Sequence, residues 1–171
     1  PVPVNQISYD GLTWLGEAEM LDSYASGPAM ISVTDAFDQQ GNRMDDAIDS
    51  WSFTIDTDRP TVVKTIPGAG AIGVTRSVII IIKFDEAVKT ETLTGDNIKL
   101  FQDGTEITGT VTPITGDSVS FSPATILEGE KDYEVRVVSR IKDAVGNTMG
   151  GDFIWRFKTG RTVLASSGGL V

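Results

Sequence analysis

Carboxylates carry most of the chemistry open to this chain. Four of them, Asp35, Asp38, Asp56 and Asp58, flank the segment "DQQGNRMDDAIDSWSFTIDTDRP" (38–60) or lie within it. Aspartates on converging segments suit a hard divalent cation, which takes oxygen ligands and needs neither His nor Cys. Asp35, Asp38, Asp56 and Asp58 lie on segments that could approach a domain junction, and they are the candidate ligands for the calcium that the family resemblance below implies. Asp85 and Glu86 are weaker candidates. No Asp-x-[Asp/Asn]-x-[Asp/Asn]-Gly loop with a distal Glu is present, which rules out an EF-hand loop. The plainer reading is turn chemistry. Asp38, Gly41 and Asn42 recur as Asp143, Gly146 and Asn147. An aspartate can accept N–H groups of its own loop, and glycine supplies the positive φ that closes it. The turn is the main reading of the motif.

Other chemistries fail for want of residues. The 171-residue chain has no His and no Cys. A Ser-His-Asp or Cys-His device is impossible, and the usual zinc ligands are missing. No pair of carboxylates is placed across a recognisable cleft. We therefore expect no enzyme, no catalytic residue and no cofactor-binding residue. The net charge of −10, from 24 acidic and 14 basic residues, disfavours nucleic acid and anionic membrane as partners. No apolar run approaches the roughly 18 residues of a membrane span, so no membrane insertion is expected. "GAGAIG" (68–73) lacks the strand–turn–helix context of a dinucleotide fingerprint and reads as a loop. Trp14, Trp51 and Trp155 are candidates for a sugar platform, but repeat position and strand alternation favour core packing for Trp51 and Trp155.

The elements that position these residues read as strands. Seven β-branched or alternating runs are bounded by turn residues: 61–67, 77–84, 97–102, 106–114, 118–123, 133–139 and 152–159. Tyr133, Val135 and Val137 share one face of their strand, and Phe153, Trp155 and Phe157 one face of theirs. "SVIIIIKF" (77–84) lacks alternation, as for a central strand covered on both faces or one near a domain contact. "QDGTE" (102–106) carries the Asp-Gly of a tight hairpin. A helical or 3₁₀ turn fits 88–97. The expected fold class is all-β, an immunoglobulin-like antiparallel β-sandwich.

The repeat sets the domain organisation. Asp38, Gly41 and Asn42 match Asp143, Gly146 and Asn147 at one offset (143 − 38 = 105), and Val33 falls on Val138 at the same offset. Trp51 and Phe53 fall on Trp155 and Phe157 after one deletion. Residues 1–57 match only the second half of the later copy. They are expected to form the C-terminal part of a preceding Ig-like unit, ahead of a complete domain at 58–160. Residues 161–171 read as a flexible tail or the start of a following segment. The start at "PVPVNQ" suggests a piece of a longer chain.

"PTVVKTIPGAGAIGVTRSVIIIIKFDEAV" (60–88), Leu127-Gly129-Tyr133, "DAVGN" (143–147) and "WRFKT" (155–159) together resemble the bacterial Ig-like domains of S-layer and large surface proteins. "FDEAV" departs from the pattern, with Asp85 and Ala87 where Ser or Thr and Pro are usual. The resemblance implies a non-catalytic spacer of a stalk, adhesin or S-layer segment, extracellular or at the cell surface. The partners it implies are neighbouring Ig-like domains of the same chain, and a cell-surface or carbohydrate ligand. It also implies calcium near domain junctions. The alternative is an accessory or carbohydrate-binding module of a secreted polysaccharide-acting enzyme.

Overall fold

Among the described residues twelve strands and one short 3₁₀ turn make up the regular structure. The strands are β1 (Asn5–Tyr9), β2 (Trp14–Glu17), β3 (Gly27–Ser32), β4 (Ser50–Ile55), β5 (Val62–Ile66), β6 (Ile80–Phe84), β7 (Ile98–Gln102), β8 (Thr105–Ile107), β9 (Gly109–Thr115), β10 (Ser118–Pro123), β11 (Asp132–Val137) and β12 (Phe153–Lys158). The structure is a computed structural model, and it describes residues 5–9, 14–17, 25–32, 37, 40–43 and 50–161. Among these residues there is no α-helix. The chain divides into two compact units, Pro1–Asp58 and Arg59–Val171.

The C-terminal unit is a sandwich of two four-stranded sheets, ordered β5-β6-β10-β9 and β12-β11-β7-β8, with every strand pairing antiparallel. Alternation drives it. Ile80, Ile82 and Phe84 of β6, and Val119 and Phe121 of β10, bury one row. Tyr133, Val135 and Val137 of β11, with Trp155 and Phe157 of β12, bury the facing row. Tyr133 stacks on Phe157, with ring centroids 5.5 Å apart. Each of these side chains removes apolar area worth about 25 cal/mol per Å² from water. The aromatic trio thus points inward as expected, with Phe153 half-buried at its margin.

Two strand expectations need correction. β6 is central by hydrogen bonding, but only one of its faces is covered: Ile79, just ahead of it, is exposed and Ile81 is half-buried. The continuous run 106–114 is two strands. It breaks at Thr108 because the chain changes sheets there, β8 pairing with β7 and β9 with β10. Gly109 permits the crossing. A Cβ there would lie 2.6 Å from the Ser122 carbonyl oxygen and closer still to the Phe121 ring. The Asp-Gly hairpin is as expected. Asp103 and Gly104 have φ of 51° and 79°, the left-handed pair that a two-residue turn between twisted strands requires. The short turn within 88–97 is a 3₁₀ turn at Thr90–Thr92.

Within this unit the chain enters at one end of the sandwich and leaves at the other. Thr61 donates through its N–H and hydroxyl to the Asp85 carboxylate, at 2.8 and 2.6 Å. That end also holds the β9–β10 turn, where the Phe84 N–H meets the Asp117 carbonyl at 2.8 Å. From there β10 and β12 run to the opposite end, antiparallel to β6 and β11. There Gly160 donates to the Val74 carbonyl at 2.8 Å and accepts the Glu130 N–H at 3.2 Å.

In the N-terminal unit β1 pairs with β2 and β3 with β4. The β3–β4 ladder sets Ile31 opposite Trp51 and Ala29 opposite Phe53. The β11–β12 ladder sets Val135 opposite Trp155 and Tyr133 opposite Phe157. Ile31 is therefore the counterpart of Val135 (135 − 31 = 104), as Trp51 is of Trp155 (155 − 51 = 104). The strand register is one residue away from the 105 offset that sets Val33 on Val138. The turn itself keeps that offset. Phe37 bridges Arg43 as Lys142 bridges Thr148, and Gly41 and Gly146 both have positive φ. The two hairpins differ in burial. Trp155 is 4% exposed, whereas Trp51 is 57% and Ile31 49% exposed. The expected core packing holds for Trp155 and fails for Trp51. The β12 row faces the opposing sheet of its sandwich, whereas the β3–β4 row is exposed.

Candidate cation-binding carboxylates and the repeated turn

Asp143 is fully buried, and its neighbours explain how a carboxylate sits there. One oxygen, Oδ1, accepts the N–H groups of Val145, Gly146 and Asn147 at 3.0, 2.6 and 2.8 Å. The other, Oδ2, accepts the Asn147 side-chain amide at 2.7 Å. The Asp143 N–H donates to the Asn147 carbonyl at 3.0 Å, closing the loop from the other side. Gly146, at φ 117°, takes a conformation that L side chains resist. Burial pushes the Asp143 carboxyl up. The bonds from the Gly146 N–H, the Asn147 side chain, the Asn147 N–H and the Val145 N–H outweigh it and hold the pKa below the usual value. Asp, Gly and Asn at these positions are what this turn consumes.

Glu86 is a second carboxylate at the same end of the sandwich. One of its oxygens lies within 4.8 Å of one of Asp143. Oxygen donors at this spacing have the right chemistry for a hard cation. By its sequence Glu86 is among the weaker candidates and Asp143 belongs to the turn. Their approach follows from the Val88–Asp143 bridge, a pairing across the domain that no local pattern reveals. Of the four aspartates expected as ligands, Asp35 and Asp38 lie outside the described residues. Asp56 and Asp58 lie at the end of the N-terminal unit, where the Asp58 N–H donates to Asp56 Oδ1 at 3.1 Å. Asp85, the other weaker candidate, is occupied with Thr61. Partial burial raises its pKa, but the hydrogen bonds from Thr61 lower it further, to below the usual value.

Aromatic side chains reach the surface or line a groove in both units. In the C-terminal unit a groove of about 430 Å³ is lined by Phe101, Tyr133, Glu134, Arg136 and Arg156 among others. Its aromatic floor is closed over, because the Arg136 guanidinium lies 5.3 Å from the Phe101 ring centre. Glu134 holds both arginines, at 3.0 Å from Arg136 and 2.5 Å from Arg156, and these bonds lower its pKa. In the N-terminal unit Trp51 and Phe53, two residues apart on β4, are both exposed.

The sheets, the Tyr133–Phe157 core and the buried Asp143 turn together define an Ig-like domain. Residues 56–159 match the family model described as a bacterial Ig-like domain. This chain belongs to the bacterial Ig-like domain family. No curated protein sequence matches it. Among solved structures it is similar to the S-layer protein rSbsC, at 21% identity and a TM-score of 0.47, over 63% of this chain and 14% of that one. It is also similar to PcoC, a methionine rich copper resistance protein from Escherichia coli, at 15% identity and a TM-score of 0.46, over 60% of this chain and 99% of that one. A third likeness is to the LD transpeptidase LdtMt1, at 16% identity and a TM-score of 0.44, over 60% and 41% of the two chains. The chain spans 14% of the length of rSbsC. Among the described residues no helix is long and apolar enough to cross a membrane.

Proposed function

We propose that this chain is a non-catalytic spacer repeat of a large secreted or cell-surface protein, in a stalk, adhesin or S-layer segment. The observation that carries this reading is the placement of the ends of the complete domain. Thr61 is held at one end of the sandwich and Gly160 at the other. A unit entered and left at opposite ends can be strung in series, and load on the chain then runs along its strands. Membership in the bacterial Ig-like family supports the same reading. The hairpin register supports a further element of it, that residues 1–57 are the C-terminal part of a preceding Ig-like unit. Their exposed row of Ile31, Trp51 and Phe53 is then the inner face of a sheet whose opposing strands lie elsewhere.

The test is to hold the chain by its two ends and raise the tension. About 100 residues at roughly 3.5 Å each give about 350 Å when extended, so loss of the domain should lengthen the tether by about 300 Å in one step. Gradual lengthening without a step would contradict a load-bearing domain.

A second reading has one observation in its favour. The exposed pair Trp51 and Phe53 would suit a sugar face, and so an accessory module of a polysaccharide-acting enzyme. Retention of the chain on insoluble polysaccharide, lost in Trp51→Ala, would favour that reading over the spacer.

A further inference from the structure

The core accounts for only half of the isoleucine run. Ile80 and Ile82 point inward, whereas Ile79 is 54% exposed and Ile81 lies on the outer face of β6. Cross-strand partners share a face, so the register maps that outer face across the sheet. Lys64 and Ile66 of β5 stand opposite Lys83 and Ile81 of β6. Ile81 in turn stands opposite Ser120 of β10, and Ser120 opposite Thr112 of β9. The face therefore carries a patch of isoleucine beside rows of hydroxyls, Ser118, Ser120 and Ser122 with Thr110 and Thr112. No Asp or Glu occurs in any of its four strands. The outer face of the other sheet is the reverse. Ion pairs of Lys99 with Glu106, and of Glu134 with Arg136 and Arg156, cross it.

We propose that this face is a contact surface between two copies of the chain, packed face to face with their strands antiparallel. A chain of net charge −10 repels its own copy, and these four strands add no carboxylate to that repulsion. The chemistry of the face is self-complementary. Isoleucine packs on isoleucine, and a hydroxyl both donates and accepts. The Ser120 hydroxyl donates to the Thr112 carbonyl at 3.1 Å, which leaves its oxygen to accept. Charge then selects the direction. Lys64 and Lys83 stand side by side at one end of the face, and Lys83 also pairs with Asp117 at 2.8 Å. A two-fold axis across the strands lays β6 on β6 and β10 on β10, and holds the two lysine pairs at opposite ends. An axis along the strands would set Lys83 on Lys83 or lay the isoleucines on serines. The face measures about 19 Å across four strands and about 20 Å along them, about 400 Å² a side. The total of about 800 Å² falls short of the roughly 1,200 Å² of a stable pair. The contact is therefore weak between free chains and forms where copies are held close together.

Crosslinking captures a weak contact, and a chain without cysteine gives it a clean background. Ser120→Cys places a thiol near the axis, where a short bismaleimide should join it to its own mate. Ser118→Cys mixed with Ser122→Cys should crosslink to each other several-fold more than either does alone. Ile154→Cys, exposed on the outer face of the other sheet, sets the level of random collision. Ser120→Cys should exceed that level several-fold. Adding Ile79→Lys to the Ser120→Cys chain sets a charge against the partner's apolar patch and should lower the yield about tenfold. Ile66→Lys, also at an exposed position, is the second variant should the first not fold. Equal yields from Ser120→Cys and Ile154→Cys would overturn the contact. A yield that survives both lysine variants would overturn it too. Crosslinks of Ser118→Cys with itself that exceed the mixed ones would overturn the antiparallel packing.

Discussion

Replacing Asp143 by alanine tests whether the repeated motif is a turn. The wild-type carboxylate accepts three backbone N–H groups and one side-chain amide while fully buried. Hydrogen bonds to a charged group contribute about 1.5–3 kcal/mol each, but three of these share one oxygen and the freed N–H groups can partly rehydrate. The expected cost of Asp143→Ala is therefore about 2–4 kcal/mol. For a domain of about 100 residues that lowers Tm by about 10–20 °C. Asp143→Asn keeps one acceptor but sets an amide against the Asn147 amide, so its cost should be about half as large. Urea titration followed through the Trp155 indole N–H, which donates to the Pro67 carbonyl at 3.0 Å, reports on this domain alone. The sign with pH is fixed by the lowered pKa. The gap between wild type and Asp143→Ala should be full above the ordinary carboxylate value of about 3.9. It should close as pH falls from there through the lower value in the folded chain. A loss below about 0.5 kcal/mol at neutral pH would refute the argument.

Gly109→Ala should destabilise by about 3 kcal/mol, because its Cβ meets backbone and a buried ring rather than a movable side chain; calorimetry of the variant checks this. Trp51→Ser should change stability by under about 0.5 kcal/mol while Trp155→Ala costs about 3–5 kcal/mol, read from paired urea titrations. Acrylamide should quench Trp51 fluorescence readily, as a difference between the chain and Trp51→Phe, because the side chain is exposed. Thermal unfolding with Ca²⁺ and with EDTA at matched ionic strength should give the same Tm for the C-terminal domain if Asp143 serves the turn alone. A rise with calcium would make Asp143 and Glu86 ligands, since binding only to the folded state stabilises by mass action.

Much of the sandwich was legible because its signals are local. Alternation in 133–137 and 153–157 named the buried rows, and the Asp-Gly pair named a hairpin and its two strands. The motif at 143–147 was legible as a turn because Asp, Gly and Asn each have one stereochemical use there. What stayed hidden depends on contacts between distant segments. The break at Thr108 follows from a change of sheet, and only the nearness of Phe121 and Ser122 to Gly109 reveals it. The exposure of Trp51 is not legible because its pattern is that of Trp155; burial depends on what packs over the row, which no local pattern carries. Glu86 meets Asp143 through a bridge spanning 55 residues (143 − 88 = 55).

A spacer should bear load along its strands, and pulling the domain along two axes tests that proposal most directly. With no native cysteine in the chain, handles can be placed at will. Handles at Arg59 and Arg161 load the strands along their length. Handles at Glu130 and Arg161 draw β11 and β12 apart from one end, breaking their ladder bond by bond. The first geometry should hold to a clearly higher force than the second. Equal forces along both axes would mean that the placement of the ends confers no mechanical advantage, and would contradict the spacer reading.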